Sequence, residues 1–160
     1  LPAGLTLSLR LQTSIDSRKD RVGKLIEATL QKKIEISEGL TLPKGARVSG
    51  RLRVLHHHID GNPYFVLGLE LRELELADRR VRLNVELVQL ANLPGVSRGR
   101  SVSSTNSSQG VLASMGVPTN FKRVVIETIS LNELPGVSLL RIHDNPAVLG
   151  KGFWSAWKTK

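Results

Sequence analysis

The chain has 160 residues, 40% of them apolar, and 23 Lys and Arg against 14 Asp and Glu, a formal charge of +9. That is enough for one domain with a full core, and the balance is far from that of a disordered segment. Cysteine is absent, which excludes disulfides, a thiol nucleophile and zinc–thiolate sites, and no apolar run approaches the ~18 residues of a membrane helix. The charge favours acidic partners: nucleic acid, anionic lipid headgroups, acidic polysaccharide or an acidic protein face.

Leu1-Pro2-Ala3-Gly4 reads as a tight turn. It leads into Leu5, Leu7, Leu9 and Leu11 alternating with Thr6, Ser8, Arg10 and Gln12. Period two predicts a strand with one buried and one wet face. A polar, turn-rich stretch follows at 13–23, then strand-like runs over Leu25–Leu30 and around Ile34 and Ile36. Leu42-Pro43-Lys44-Gly45 repeats the opening turn. Val48, Gly50, Leu52 and Val54 then face one way, and Arg47, Ser49, Arg51 and Arg53 the other. The two units match at one offset, residue for residue, at Leu1/Leu42, Pro2/Pro43, Gly4/Gly45, Ser8/Ser49, Arg10/Arg51 and Leu11/Leu52.

Asp60-Gly61-Asn62-Pro63 is a strong turn signal. From Tyr64 to Leu76 the apolar phase runs Leu67, Leu69, Leu71 and then Leu74, Leu76. This one-residue slip at Arg72-Glu73 predicts a β-bulge. Ala77-Asp78-Arg79-Arg80 makes a hairpin, and Val81, Leu83, Val85 and Leu87 return facing inward.

Residues 97–110 are Ser-rich and almost free of apolar side chains, which predicts a long polar insertion at about 97–120. Within them 111–116 fits one short helical turn. Phe121–Leu131 and Leu139–Ile142 read as strands, and the chain closes on a strand carrying Phe153, Trp154 and Trp157. Short strands without a convincing helix predict an all-β fold. It is read as a small single-domain β-barrel over 1–160, with a β-sandwich as the alternative and one long polar loop at about 97–120.

Among candidate chemistry, His56 and His58 share a strand face and can chelate a metal from i and i+2, with Asp60 nearby. A zinc site needs three or four ligands, and His143 is distant in sequence. No metal, cofactor or catalytic residue is therefore assigned. Glu70, Glu73, Glu75 and Glu86 interleave with Arg, a pattern of a neutralised outer face rather than an acid/base pair. Trp154 and Trp157 lie three apart, so on a strand they point to opposite faces, one to the core. The residues assigned to partner binding are Arg98, Arg100, Phe153, Trp154 and Trp157.

Leu-Pro-x-Gly with an alternating strand, Ile15-Asp16-Ser17, a Gly23-anchored turn, Ala28 on a strand, and Leu42-Pro43-x-Gly45-x-Arg47-Val48-x-Gly50 together resemble the opening of the TrbI-like β-barrel domain of bacterial conjugation and type IV secretion. The likeness covers about residues 1–55. Pro63–Glu70 and Gly152–Thr159 look more like bacterial envelope proteins that share this opening. The resemblance implies an exported, periplasmic or envelope-associated protein, with no signal segment read in this chain. It also implies a non-enzymatic structural or assembly subunit acting through protein–protein contacts. Its partners would be other envelope proteins or copies of itself, across a possible acidic surface, with no small-molecule substrate. Two alternatives stand beside it: a basic barrel binding single-stranded nucleic acid or another polyanion, and a metal-dependent enzyme using the His cluster.

Overall fold

The computed structural model describes residues 1–37, 39–77, 79–90, 96–98, 124–129, 134 and 136–160. They are all-β. The strands, in chain order, are β1 (Thr6–Leu11), β2 (Ile15–Asp16), β3 (Leu25–Leu30), β4 (Ile34–Ser37), β5 (Leu40–Leu42), β6 (Arg47–His58) and β7 (Tyr64–Glu75). They continue as β8 (Arg80–Arg82), β9 (Val85–Leu90), β10 (Val96–Arg98), β11 (Val124–Ile129), β12 (Val137–His143), β13 (Val148–Leu149) and β14 (Trp154–Thr159). The main sheet runs β10-β11-β12-β7-β6-β3-β1-β14-β9, with β8 paired to β7, while β13-β2 and β4-β5 form two small ribbons.

The sheet curls into a barrel, and the ladders form a circuit. β7 pairs with β8 through Glu73–Glu75. Two residues later the chain is β9, which pairs with β14. The junction itself is bonded on both sides: Leu83 N–H donates to the Arg72 carbonyl at 2.6 Å, and Lys160 N–H to the Asn84 carbonyl at 2.9 Å. From β14 the circuit passes through β1, β3 and β6 back to β7. The other half of β7, Phe65–Glu70, pairs with β12 instead. β12 thus wedges between β7 and β9, and Leu87 N–H on β9 donates to Ser138 Oγ on β12 at 2.9 Å.

One device starts four consecutive strands of this wall. Gly45 N–H donates to the Leu30 carbonyl, and Leu30 N–H donates back to the carbonyl of Ala46. The same reciprocal pair joins Gly4–Leu5 to Thr159, Gly23–Lys24 to Leu52, and Gly152–Phe153 to Leu11. All four glycines have φ between 86° and 96°, a left-handed conformation that a Cβ penalises. The repeat in the sequence is therefore a repeat of hydrogen bonding. In three of the four, an i→i+3 bond closes the turn, as from Ala46 N–H to the Pro43 carbonyl at 3.2 Å. At Leu1–Leu5 a side chain takes that place: Thr159 Oγ1 accepts from Leu5 N–H at 2.8 Å and donates to the Pro2 carbonyl at 2.7 Å.

The bulge expected at Arg72-Glu73 is present. Ser49 pairs with Glu73 and Gly50 with Leu71, leaving Arg72 as the extra residue. Two further shifts were not legible from the alternation. Arg53 is extra between Leu52 and Val54 on β6, so Val54 is only partly buried. On β9, Val88 is extra opposite Ala156/Trp157 and is 48% exposed. β6 also runs on through His58, three residues past the expected end at 55, because β7 continues to pair with it to Tyr64.

The insertion read as loop from residue 97 begins later. Val96–Arg98 is a strand, in parallel register with Val124–Ile129. Parallel neighbours need a crossover of a dozen residues or more, and the polar stretch 99–123 supplies that connection. Its internal structure, including the helical turn read at 111–116 and Arg100, lies outside the described residues.

Inside the barrel, Leu7, Leu9, Ile26, Leu30, Val48, Leu52, Leu67, Leu74, Leu140 and Ile142 are fully buried. Each such side chain contributes roughly 1.5–3 kcal/mol relative to exposure. Phe153 and Trp157, expected on a partner-facing surface, are in this core at 6% and 2% exposure. Phe153 follows the Gly152 turn inward, and Trp157 has the inward parity of Ser155 and Thr159, donating Nε1–H to Ser155 Oγ at 2.8 Å. Trp154, of opposite parity, is partly exposed.

Candidate functional site

The barrel is filled by its own side chains. Leu11, Leu69, Leu140, Phe153 and Trp157 enclose a void of about 20 Å³, room for one water and nothing larger.

The β6–β7 hairpin turns at residues 59–63, where Ile59 is 72% exposed. Cross-strand register determines what its faces hold. His58 is opposite Tyr64 and His57 opposite Phe65, while Phe65 is opposite Ile142 on β12. One face is thus the row His58–Tyr64–His143. His58 stacks on Tyr64 with ring centroids 4.6 Å apart, and His143 tilts against the other side at 5.5 Å. The Arg141 guanidinium sits 4.6 Å over the Tyr64 ring, a cation–π contact. The other face is His57 stacked on Phe65 at 4.1 Å and 3°. His57 Nε2 is buried there without a hydrogen-bond partner among the described residues.

The fold brings His143 across from His58, a proximity invisible in sequence. The ring of Tyr64 lies between the two imidazoles, and His57 faces away. Among the described residues no three His, Cys, Asp or Glu side chains gather where they could hold a metal ion. His56 and His58 share a strand parity as the spacing predicts, but His56 is opposite Val66, and His58 stacks on Tyr64, which the sequence did not single out. A signal existed: an aromatic pair, Tyr64-Phe65, directly across a five-residue connection from three histidines.

Comparison with protein-family models, curated proteins and solved structures finds no match to this chain.

Three acidic residues, Glu70 and Glu75 on the hairpin and Glu86 on β9, are in ion pairs. Glu70 has Arg72 Nε 2.8 Å away, and Arg53 Nε at 3.2 Å, the latter without hydrogen-bond geometry. Glu75 faces Arg80 at 3.8 Å, and Glu86 holds Lys160 at 2.7 Å. Exposed pairs of this kind contribute little stability, ~0–1 kcal/mol; their effect is a mixed-charge surface. An open cleft of about 410 Å³ lies where β7 forks between β8 and β12, lined by Glu70, Arg72, Glu73, Arg82, Asn84 and Gly136. Of the residues assigned to partner binding, Arg98 lies on β10 at the end of the sheet path. Trp154 is on the barrel wall, in register with Arg10, and far along the sheet from Arg98.

Beside Leu52 of β6, the 13–24 loop is tied by charge. Arg18 donates Nε and Nη2 to the two Asp16 carboxylate oxygens at 3.0 and 2.7 Å. That hydrogen bonding holds the Asp16 carboxyl down at about 2 and pushes the Arg18 guanidinium up. Burial pushes Asp20 up, but the Lys24 ammonium and the Asp16 amide outweigh it, leaving its pKa lowered. Lys24 Nζ donates to Asp20 Oδ1 and to the Ser14 carbonyl, both at 2.7 Å. The ammonium fills the polar centre of the loop, so the acidic pair is structural.

Proposed function

We propose that the chain is a non-enzymatic structural or assembly subunit of the bacterial cell envelope, working through protein–protein contacts. The observation that carries this reading is a barrel whose described core is filled by its own side chains, with Ile59 72% exposed at the turn of the β6–β7 hairpin. Among the described residues the interior void is about 20 Å³, which favours a reading in which the surface makes the contacts. Ile59 at the tip and the His58–Tyr64–His143 row behind it form an amphipathic, aromatic ridge. Rigid aromatics beside an exposed aliphatic anchor are the composition of interface cores. The partner is another envelope protein or a further copy of the chain. The envelope location rests on the resemblance of residues 1–55 to the TrbI-like barrel.

The test is to place a photo-crosslinking amino acid at position 59 in bacteria exporting the chain, with position 41 as a control. A discrete crosslinked species from 59 and none from 41 is expected, and Ile59→Asp should abolish assembly by sedimentation without altering the circular dichroism. A monodisperse monomer that crosslinks to nothing from position 59 contradicts the proposal.

A further inference from the structure

The outer wall of the barrel carries a line that the sequence scatters from residue 10 to residue 154. Trp154 is in register with Arg10, Arg10 with Thr29, and Thr29 with Arg47. The line crosses β14, β1, β3 and β6, four strands spanning roughly 14 Å at ~4.8 Å per strand. Arg10 and Arg47 are exposed, and among the described residues neither is within ion-pair distance of a carboxylate. This separates them from Arg18, Arg53, Arg72 and Arg80, all of which are paired. Between them the wall is low and polar. Thr29 Oγ1 accepts from Gln12 and Gln31 at 2.9 and 3.1 Å, and Ser8 and Ser49 share the face. Of the nearby carboxylates, Glu75 lies in register across from Arg47 and 3.8 Å from Arg80, and Glu27 stands two residues along β3.

We propose that this line is a contact track for single-stranded nucleic acid, a binding activity separate from the assembly role. Two unpaired guanidiniums match phosphates in the bidentate geometry that Lys cannot offer. The partly exposed Trp154 indole beside Arg10 offers a base its π-face. A shallow floor of hydroxyls and amides admits an extended backbone without reading its sequence. An acidic polysaccharide satisfies the charges alike but has no base to stack, so Trp154 decides between them.

The experiment is fluorescence anisotropy of labelled oligo-dT with the full chain across a salt series, read in parallel with tryptophan emission. Trp157 is buried at 2% exposure, so quenching on binding reports Trp154. The affinity should fall linearly with salt on logarithmic axes. Arg10→Gln/Arg47→Gln should flatten that slope by about 1.4, two phosphates at ~0.7 each. Trp154→Leu should weaken binding by roughly tenfold and remove the quenching. Lys32→Gln should change the slope by no more than one contact's share and leave the quenching intact. Retained Trp157 emission and circular dichroism verify the fold of each variant. Absence of binding at low salt, an unchanged slope in the arginine variant, or binding without quenching overturns the proposal. So does a sulfated polysaccharide that competes as well as oligo-dT at equal charge.

Discussion

Gly50 sits on β6 in register with Leu71, against the β7 backbone. A Cβ built there would fall on the Glu70 carbonyl and crowd the Cα of Leu71. The bulge at Arg72 draws the two backbones together at this point, and backbone cannot yield as a side chain can. Gly50→Ala is therefore expected to destabilise the protein by about 3 kcal/mol or more by chemical denaturation. Gly45 is a contrasting case, since a Cβ would enter open space but φ is 87°. Gly45→Ala should cost only the conformational strain, about 1–2 kcal/mol. Equal losses at the two positions would contradict this distinction. Thr159 makes a third residue-scale case, because its hydroxyl is the donor and acceptor that closes the first turn. Thr159→Val should lose about 1–3 kcal/mol, with Thr159→Ser recovering most of it.

At the scale of elements, the 13–24 loop carries the molecule's clearest acid sensitivity. Asp16 titrates in the folded state at about 2, below its ordinary 3.8, and Asp20 is lowered too. A depressed folded pKa contributes stability that is complete above the unfolded value and lost as pH falls through the folded one. The urea midpoint should thus decline from about pH 4 towards pH 2, and Asp16→Asn should flatten that decline while leaving the neutral-pH spectrum native. A decline of the same steepness in the variant would count against the Arg18–Asp16 link. The strands themselves were largely legible, because period-two alternation and Leu-Pro-x-Gly turns are local. The Arg72 bulge was legible for the same reason, as a slip in phase. The bulges at Arg53 and Val88 were not, since they are set by the partner strand and leave no break in the apolar spacing. Phe153 was misassigned because aromatic clustering says nothing of which side a preceding glycine turn delivers it to.

For the whole molecule, what could not be read was closure. Nothing in residues 80–90 announces that one segment pairs with β7 at its start and β14 at its end, yet that double pairing converts a curled sheet into a barrel. The juxtapositions of the candidate surfaces follow from it and from register: His143 against Tyr64, and Trp154 in line with Arg47. They are long-range facts, separated by 79 and 107 positions in the numbering. If the wall is continuous, truncating one interior side chain disturbs a single core. Leu52→Ala should cost about 2–5 kcal/mol in one cooperative transition. Hydrogen exchange at the amides of Leu83, Leu87 and Lys160, which sit on the closing segment and its seam, tests the sealed barrel most directly. All three should exchange only through global unfolding, as slowly as Leu30 and Leu52 inside the continuous wall. Exchange of the three by a separate, low-energy opening would mean that the wall gapes and its interior is open to ligands, contrary to a barrel that works by its outer surface.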